Sequence, residues 1–282
     1  ADVAFTATGG GPAVRDTRRI GAGEVVRVAV PVQFETTETG AGSVVLSVEA
    51  ETGDALRLDD RVGIVAAVEP ALPVELVTAA NTGDAASAAF FMERALAPHP
   101  SAGVRVTVAS EVDAAVDGRS VTVLVEAEAR TDDELRRLRE RLDAGAGVVW
   151  VCDSAEAVRA VGRFDASAVA GGGSEWVEGE AQAWRVAEER LPVLAGPTRA
   201  AVERLTFARR TRGLAADGAE VLLRFADGSP AVISRAIGRG RLTVVGADLS
   251  PASSDFVKSP LFVPVLQELL NHTLEPVSPP HN

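Results

Sequence analysis

The run Val148-Val149-Trp150-Val151-Cys152 carries no charged or hydroxyl side chain, the pattern of a strand buried on both faces. A strand of that kind needs helices above and below it, and the flanking sequence supplies helical signals. Before it, Thr131-Asp132-Asp133-Glu134 is a capping box in which Thr bonds the third amide while Glu reaches back. Leu135, Leu138 and Leu142 then mark one helical face, and Gly145 and Gly147 end the helix. After it, Ala155 to Val161 reads as a further helix. Upstream, Val74–Val77, Val104–Val108 and Ser120–Val125 are short apolar strands, and Asp84 to Leu96 is helical with Ala85, Ala88, Ala89, Met92 and Leu96 on one side. Strand and helix alternate, which predicts βαβ units and a mainly parallel sheet. Further on, Glu220–Phe225 turns at Ala226-Asp227-Gly228-Ser229 into Pro230–Arg235, and Gly238-Arg239-Gly240 turns again into Arg241–Gly246. Residues 263–274 predict a helix with Pro264 in its first turn. Val265, Leu266, Leu269 and Leu270 share one side of it. A lone helix of about 12 residues is marginal in water, so this one is expected to dock on the sheet and bury Leu266 and Leu270.

Residues 1–70 follow another rhythm. Val26, Val28, Val30, Val32 and Phe34 alternate along Glu24–Phe34, and Ser43–Ala50 and Arg61–Val68 are β-branched runs. Gly9-Gly10-Gly11 and Gly40-Ala41-Gly42 punctuate them. These short strands predict a small β-sandwich of immunoglobulin-like type. Two prolines in Glu69-Pro70-Ala71-Leu72-Pro73 place a boundary there. The expected domains are therefore 1–70 and 71–282. Residues 162–183, with Gly171-Gly172-Gly173 and with Glu175, Glu178 and Glu180 around Trp176 and near Trp184, read as a long acidic surface loop whose tryptophans either pack down or await a partner.

The 282 residues carry a formal net charge of −12, a poor match for phosphate backbones or anionic lipid surfaces. Aromatics are only 4% and Tyr is absent, which disfavours base-stacking platforms. Cys152 is the single cysteine, which excludes an internal disulfide framework and a multi-cysteine metal site. No run approaches the roughly 20 apolar residues of a membrane span. There is no basic, then apolar, leader. The chain starts at Ala1 and not at Met, and it reads as a soluble region of a longer protein.

Three segments carry a family resemblance: Leu58-Asp59-Asp60-Arg61 with the strand after it, Ala226–Ala231 followed by Ile237-Gly238-Arg239-Gly240-Arg241, and Phe262-Val263-Pro264-Val265-Leu266-Gln267-Glu268-Leu269-Leu270. In order and spacing, over most of residues 45–275, they resemble the soluble part of BatA-like (aerotolerance-type) bacterial membrane proteins. The resemblance implies a β-sandwich followed by a domain of class I glutamine amidotransferase-like fold, a flavodoxin-like three-layer α/β/α architecture without established catalysis. It also implies a membrane-anchored parent, a periplasmic or extracytoplasmic location, and partners such as a von Willebrand A-type domain or a MoxR-type ATPase system.

Cys152 is the one nucleophile candidate, since in an amidotransferase the cysteine occupies a strand-to-helix elbow where helix amides lower its pKa. That elbow demands small neighbours, whereas Trp150, Val151, Asp153 and Ser154 flank Cys152. The family's His-x-Glu base is missing, because the histidines are His99, His272 and His281, and His272 is followed by Thr273-Leu274. The expected role of Cys152 is a strand-end core residue. Asp59 and Asp60, with Glu51 and Asp54 nearby, are the metal candidates, but their spacing matches no calcium loop and turn chemistry explains them. Gly238-Arg239-Gly240 lies between strands and Gly171–Gly173 leads into acidic residues, so neither predicts a phosphate cradle and no cofactor is expected. The mixed charges of residues 132–141 predict a solvated helix face, and Arg209, Arg210 and Arg212 an ordinary surface patch. The sequence thus favours a non-catalytic interaction or scaffolding region. The alternatives are a Cys152-dependent hydrolase or amidotransferase and a domain sensing a small ligand at the carboxyl ends of its parallel strands.

Overall fold

The computed structural model describes residues 2–8, 13–21, 24–26, 42–51, 61–68, 71–98, 103–113, 119–126, 130–169, 175–187, 191, 194, 197–215 and 217–277. The chain divides into two compact units, Ala1–Ala71 and Leu72–Asn282. In the first, β1 (Asp2–Thr8), β2 (Val14–Arg19), β3 (Gly42–Glu51) and β4 (Arg61–Val68) form one antiparallel sheet in the order β2-β1-β3-β4. The strand expected at 24–34 lies largely outside the described residues, and its described start, Glu24–Val26, is not strand. β2 is polar, Val-Arg-Asp-Thr-Arg-Arg, and its one valine leaves no apolar alternation to read. Val45 and Val65 face each other across β3 and β4, and both are exposed, as are Val62 and Ile64.

The second unit is a mixed, sheet-rich α/β fold with, among the described residues, nine strands and five α-helices. In chain order these are β5 (Leu72–Val77), α1 (Ala88–Leu96), β6 (Val104–Ala109), β7 (Val121–Leu124), α2 (Asp132–Ala144), β8 (Gly147–Val151), α3 (Ala155–Phe164), β9 (Glu175–Val186), α4 (Pro197–Val202), β10 (Thr206–Arg212), β11 (Glu220–Phe225), β12 (Pro230–Ile237), β13 (Gly240–Val245) and α5 (Phe262–Thr273). The strands assemble as β10-β9-β11-β12-β13-β8-β7-β5-β6. From β13 to β6 all neighbours are parallel, and from β10 to β13 all are antiparallel. The expectation of a mainly parallel sheet is corrected to a sheet that is half of each. The reason lies in the turns at Asp227-Gly228 and Gly238-Arg239, since so short a connection can join only antiparallel neighbours.

Pro73 lies inside β5, although the prolines suggested that no ladder could pass there. The amide of Leu72 bonds Gly103 on the β6 side, and pairing with β7 starts only at Val74. Proline at the first positions of a strand removes no bond when the ladder on its side has not begun. Helix α1 begins later than the expected Asp84. Asp84 makes a turn, accepting from the Ala86 amide at 2.9 Å, and Ser87 is the cap.

β8 shows the anticipated double burial, with all five residues covered. Val149 and Val151 pack with α1 and α5, while Val148 and Trp150 pack on the opposite face with α2 and α3. The capping box of α2 is formed, and Gly145, at φ 99°, ends the helix in the left-handed region that glycine tolerates. Gly240 admits no other residue easily, because a Cβ there would come within 2.1 Å of the Ala146 carbonyl oxygen.

The charged face of α2 departs from the solvated reading. Arg136 does pair in solvent with Asp133 and Glu140. Arg141, however, is buried and reaches across to Glu75 on β5, to the Thr122 hydroxyl on β7 and to the Asp113 carbonyl at 2.6 Å. Arg130 and Glu134 form a second buried pair at 2.7 Å. The i,i+4 spacing that marks surface pairs also suits residues that turn inward when the neighbouring loop supplies acceptors.

Helix α5 docks as expected, with Leu266 3% and Leu270 1% exposed, and Gln267 donates to the last carbonyls of α1. Leu266→Ala is therefore expected to cost about 2–5 kcal/mol. A thermal melt should show a drop of several degrees, and a shift within error would mean that the helix contributes no packing.

Candidate functional site

Three carboxylates meet at the carboxyl ends of adjacent strands: Glu126 after β7, Asp153 after β8 and Asp248 after β13. Glu126 borders the topological switch point of the parallel half, between β5 and β7, the usual location of a crevice in open α/β sheets; Asp153 and Asp248 follow the next two strands. Glu126 is the hub. It has φ 45°, the single non-glycine residue with positive φ among the described residues. Its carboxylate accepts from the amides of Ala88 and Ala89, 3.0 Å each, and from the Ser87 hydroxyl. The first turn of α1 thus has its free amides and its positive dipole end satisfied by a residue from a neighbouring strand. The Glu126 carbonyl accepts from Ala79 at 3.1 Å, and its amide donates to the Asp153 carboxylate.

Asp248 is buried and better provided for. It accepts from the Ser250 amide at 2.7 Å and the Ser250 hydroxyl at 2.9 Å, and Arg209 lies 3.4 Å away. Asp153 has no such cation among the described residues. Burial first, and then the charges of Asp248 and Glu126, push its carboxyl up from 3.8 to about 7, against the opposing bonds from the Glu126 amide and the Ser154 side chain. Asp248 is also raised, by burial above all, despite Ser250 and Arg209.

Cys152 ends its strand fully buried, and its amide bonds the Val245 carbonyl at 2.8 Å. Burial and the Asp153 charge push the thiol far above its ordinary value. His272, the one histidine among the described residues, sits at the other end of the sheet. Its neighbour Thr273 stands against Gly147 at the start of β8, so the length of that strand, roughly 15 Å, separates it from Cys152. His272 instead faces Glu220 at 3.6 Å and Glu275 at 3.3 Å. His99, His281, Asp59, Asp60 and Gly171–Gly173 lie outside the described residues. Among those described, no group of His, Cys, Asp and Glu has the arrangement of a metal site.

The acidic loop expected at 162–183 is corrected. α3 continues to Phe164, and Glu175–Val186 is the 12-residue strand β9. Its acidic residues and the arginines of β10 are two sides of one ladder, with Arg209 opposite Glu178 and Arg212 opposite Glu175. Opposite charges placed directly across strands favour pairing, which a reading of each segment alone does not reveal. Arg210 is no surface residue either; it is 3% exposed, bonded to Asp227 at 3.1 Å and placed over the Phe225 ring. Trp184 is fully buried, stacked on Phe207 at 4.2 Å and beside Phe256, so it offers a partner no surface. Trp176 is half-buried against the α2–α3 core and donates to Glu178.

Glu126 and Asp248 escaped the sequence reading. Their signal is an acidic residue at the end of an apolar strand, Val121–Val125 and Val244–Ala247, where a parallel strand delivers its next side chain to the sheet edge.

These features define an α/β protein with a carboxylate-lined strand edge. The chain belongs to the family described as a domain of unknown function, DUF4350, which matches residues 86–259. No curated protein matches it. Among solved structures, the cytoplasmic protein STM3548 of Salmonella typhimurium shares the fold, with a TM-score of 0.52 and 14% identity over 83% of this chain and 96% of that one. The cytoplasmic protein STM1381 of Salmonella typhimurium LT2 gives 0.46 at 10% identity, over 83% and 96%. An exo-β-1,4-mannosidase, Op5Man5, of Opitutaceae bacterium strain TAV5 gives 0.43 at 16% identity, over 73% of this chain and 34% of that one.

Replacing Asp153 by Asn tests the environment of the cluster. A carboxyl raised from 3.8 to about 7 holds its proton in the folded state where the unfolded chain releases it. Stability is then lost as pH rises between these values, and the full penalty applies above 7. Asp153→Asn removes that penalty. Its melting temperature should match the native one near pH 4 and exceed it increasingly up to pH 7, by an amount equivalent to a few kcal/mol. A difference independent of pH would contradict this environment.

Proposed function

We propose that the chain is the non-catalytic interaction region of a membrane-anchored bacterial protein of BatA-like organisation, its α/β unit having the architecture of a class I glutamine amidotransferase without the chemistry. The strand order supports the architectural part. In chain order, the parallel strands β5, β6, β7, β8 and β13 lie as 2-1-3-4-5, the flavodoxin-like order. The small unit would be the immunoglobulin-like module of that organisation, the location extracytoplasmic, and the partners a von Willebrand A-type domain or a MoxR-type ATPase system, as the family resemblance implies.

The observation that carries the non-catalytic reading is the state of Cys152. A nucleophilic thiol needs access, a lowered pKa and a base. Cys152 is fully buried, its pKa is raised, and the described histidine stands at the opposite end of β8. The small-ligand reading is less favoured, because the helix end at the switch point already holds the Glu126 carboxylate.

Two measurements on the native protein test the reading together. A thiol reagent applied between pH 6 and 9 should leave Cys152 unmodified unless the protein is unfolded, and glutamine should yield no ammonia above the blank. Rapid stoichiometric labelling with an apparent pKa below about 7, against about 8.5 for a free thiol, would restore the enzyme reading, as would turnover abolished by Cys152→Ser.

A further inference from the structure

We propose, independently of the function above, that β4 of the small unit is an interface with a second copy of this chain. Two β4 strands pair antiparallel about a two-fold axis at Val65 and extend the four-stranded sheet to eight strands.

The two edges of the small sheet are built differently. β2, at one edge, reads Val-Arg-Asp-Thr-Arg-Arg. Its Arg15 pairs with Glu51 at 2.8 Å, and its Arg18 with Asp16 at 3.0 Å. Charged side chains of this kind keep foreign strands off an edge. β4, at the other edge, carries no charge and no proline from Val62 to Val68. Its eight pairs with β3 run without a bulge. Val62, Ile64 and Val65 are 56%, 57% and 69% exposed, and Val45, opposite Val65, is 61% exposed. Ala4 is the single buried residue of this unit among the described side chains. The apolar side chains of β4 therefore serve no core among those residues. An unbroken, uncharged and apolar edge is one to which a further strand adds.

Self-complementarity makes the added strand a second β4. A two-fold axis normal to the sheet keeps each face on its own side, so it sets one residue against its own copy. With the axis at Val65, residues 62–68 of one chain lie against residues 68–62 of the other, and the whole uncharged run is paired. On one face, Val45 and Val65 of one copy continue into Val65 and Val45 of the other, so four exposed valines form one row. Continued along the sequence, this register sets Arg61 of each copy against position 69 of the other, a glutamate. Arg61 is exposed, lies opposite Glu49 on β3, and donates through Nε to the Ser47 hydroxyl at 3.0 Å. Opposite charges directly across strands favour pairing. An axis at Ile64 would set Arg61 against position 67 and lose both charge pairs. One strand edge buries less than the roughly 1,200–2,000 Å² of a standard interface, so the association is reversible and depends on concentration.

Sedimentation equilibrium of the full chain should show the mass rising from one chain toward two between about 1 μM and 1 mM. Val65→Lys puts two like charges on the axis and should weaken the dimer about tenfold or more. Arg61→Glu should weaken it as well, and Arg61→Glu combined with Glu69→Arg should restore it. Arg18→Glu, on the opposite edge, should leave it unchanged. Cysteine substitution reads the register. Directly paired residues have Cα atoms about 4.5–5.5 Å apart, within disulfide range. Mild oxidation should therefore cross-link Val65→Cys between chains. Val62→Cys, about 20 Å from its own copy, should stay uncross-linked. A chain that remains monomeric to about 1 mM would overturn the interface and mean that β4 is covered within its own chain or serves a different protein. So would a dimer unmoved by Val65→Lys, a double charge variant as weak as Arg61→Glu, or Val62→Cys cross-linking as fast as Val65→Cys. Should Val65→Lys fail to fold, the two cysteine variants decide.

Discussion

Burial of β8 on both faces is the constraint from which the large unit is built. Five consecutive covered residues cannot be hidden by one layer of helices, because alternate side chains point to opposite sides. One side takes α1 and α5, the other α2 and α3. α1 and α2 reach those positions in crossover connections between parallel strands, α3 follows β8 and α5 follows β13, the last strand, and the free edges of that parallel set then decide the remainder. β13 closes one edge and passes the sheet on to the antiparallel strands through tight turns. β6 ends the other.

The same construction explains where polar chemistry collects. Parallel strands deliver the residues that follow them to one edge of the sheet, and two or three residues beyond β7, β8 and β13 these are Glu126, Asp153 and Asp248. Two are anchored by partners suited to a negative charge, a helix N-terminus and an arginine with a serine. Asp153 has the backbone amide of Glu126 and the Ser154 side chain but, among the described residues, no cation beside it. At the opposite edge, buried Arg141 ties α2 to β5 and β7.

Much of this unit was legible locally. The capping box at Thr131, the glycine stop at Gly145, the Asp227-Gly228 turn and the apolar side of α5 all rest on interactions within a few residues, and each forms. The misreadings share a cause. The sequence of β9 reads as an acidic loop and Arg210 as surface because their partners are distant in sequence. Glu178 is matched by Arg209, and Arg210 by Asp227 and the Phe225 ring. Charge read along one segment says nothing of the segment it will face.

The sequence by itself determined the α/β alternation, the doubly buried strand, the caps and turns, and the strand-end place of Cys152, all of which follow from periodicity and short-range hydrogen bonding. Only the tertiary structure decided that the sheet is half antiparallel, that Trp184 is core, that His272 stands at the far end of β8 from Cys152, and that Glu126 closes the first turn of α1. Each of those depends on pairing between segments tens of residues apart, where free energy is set by which groups meet across strands and not by the order in which they occur along the chain.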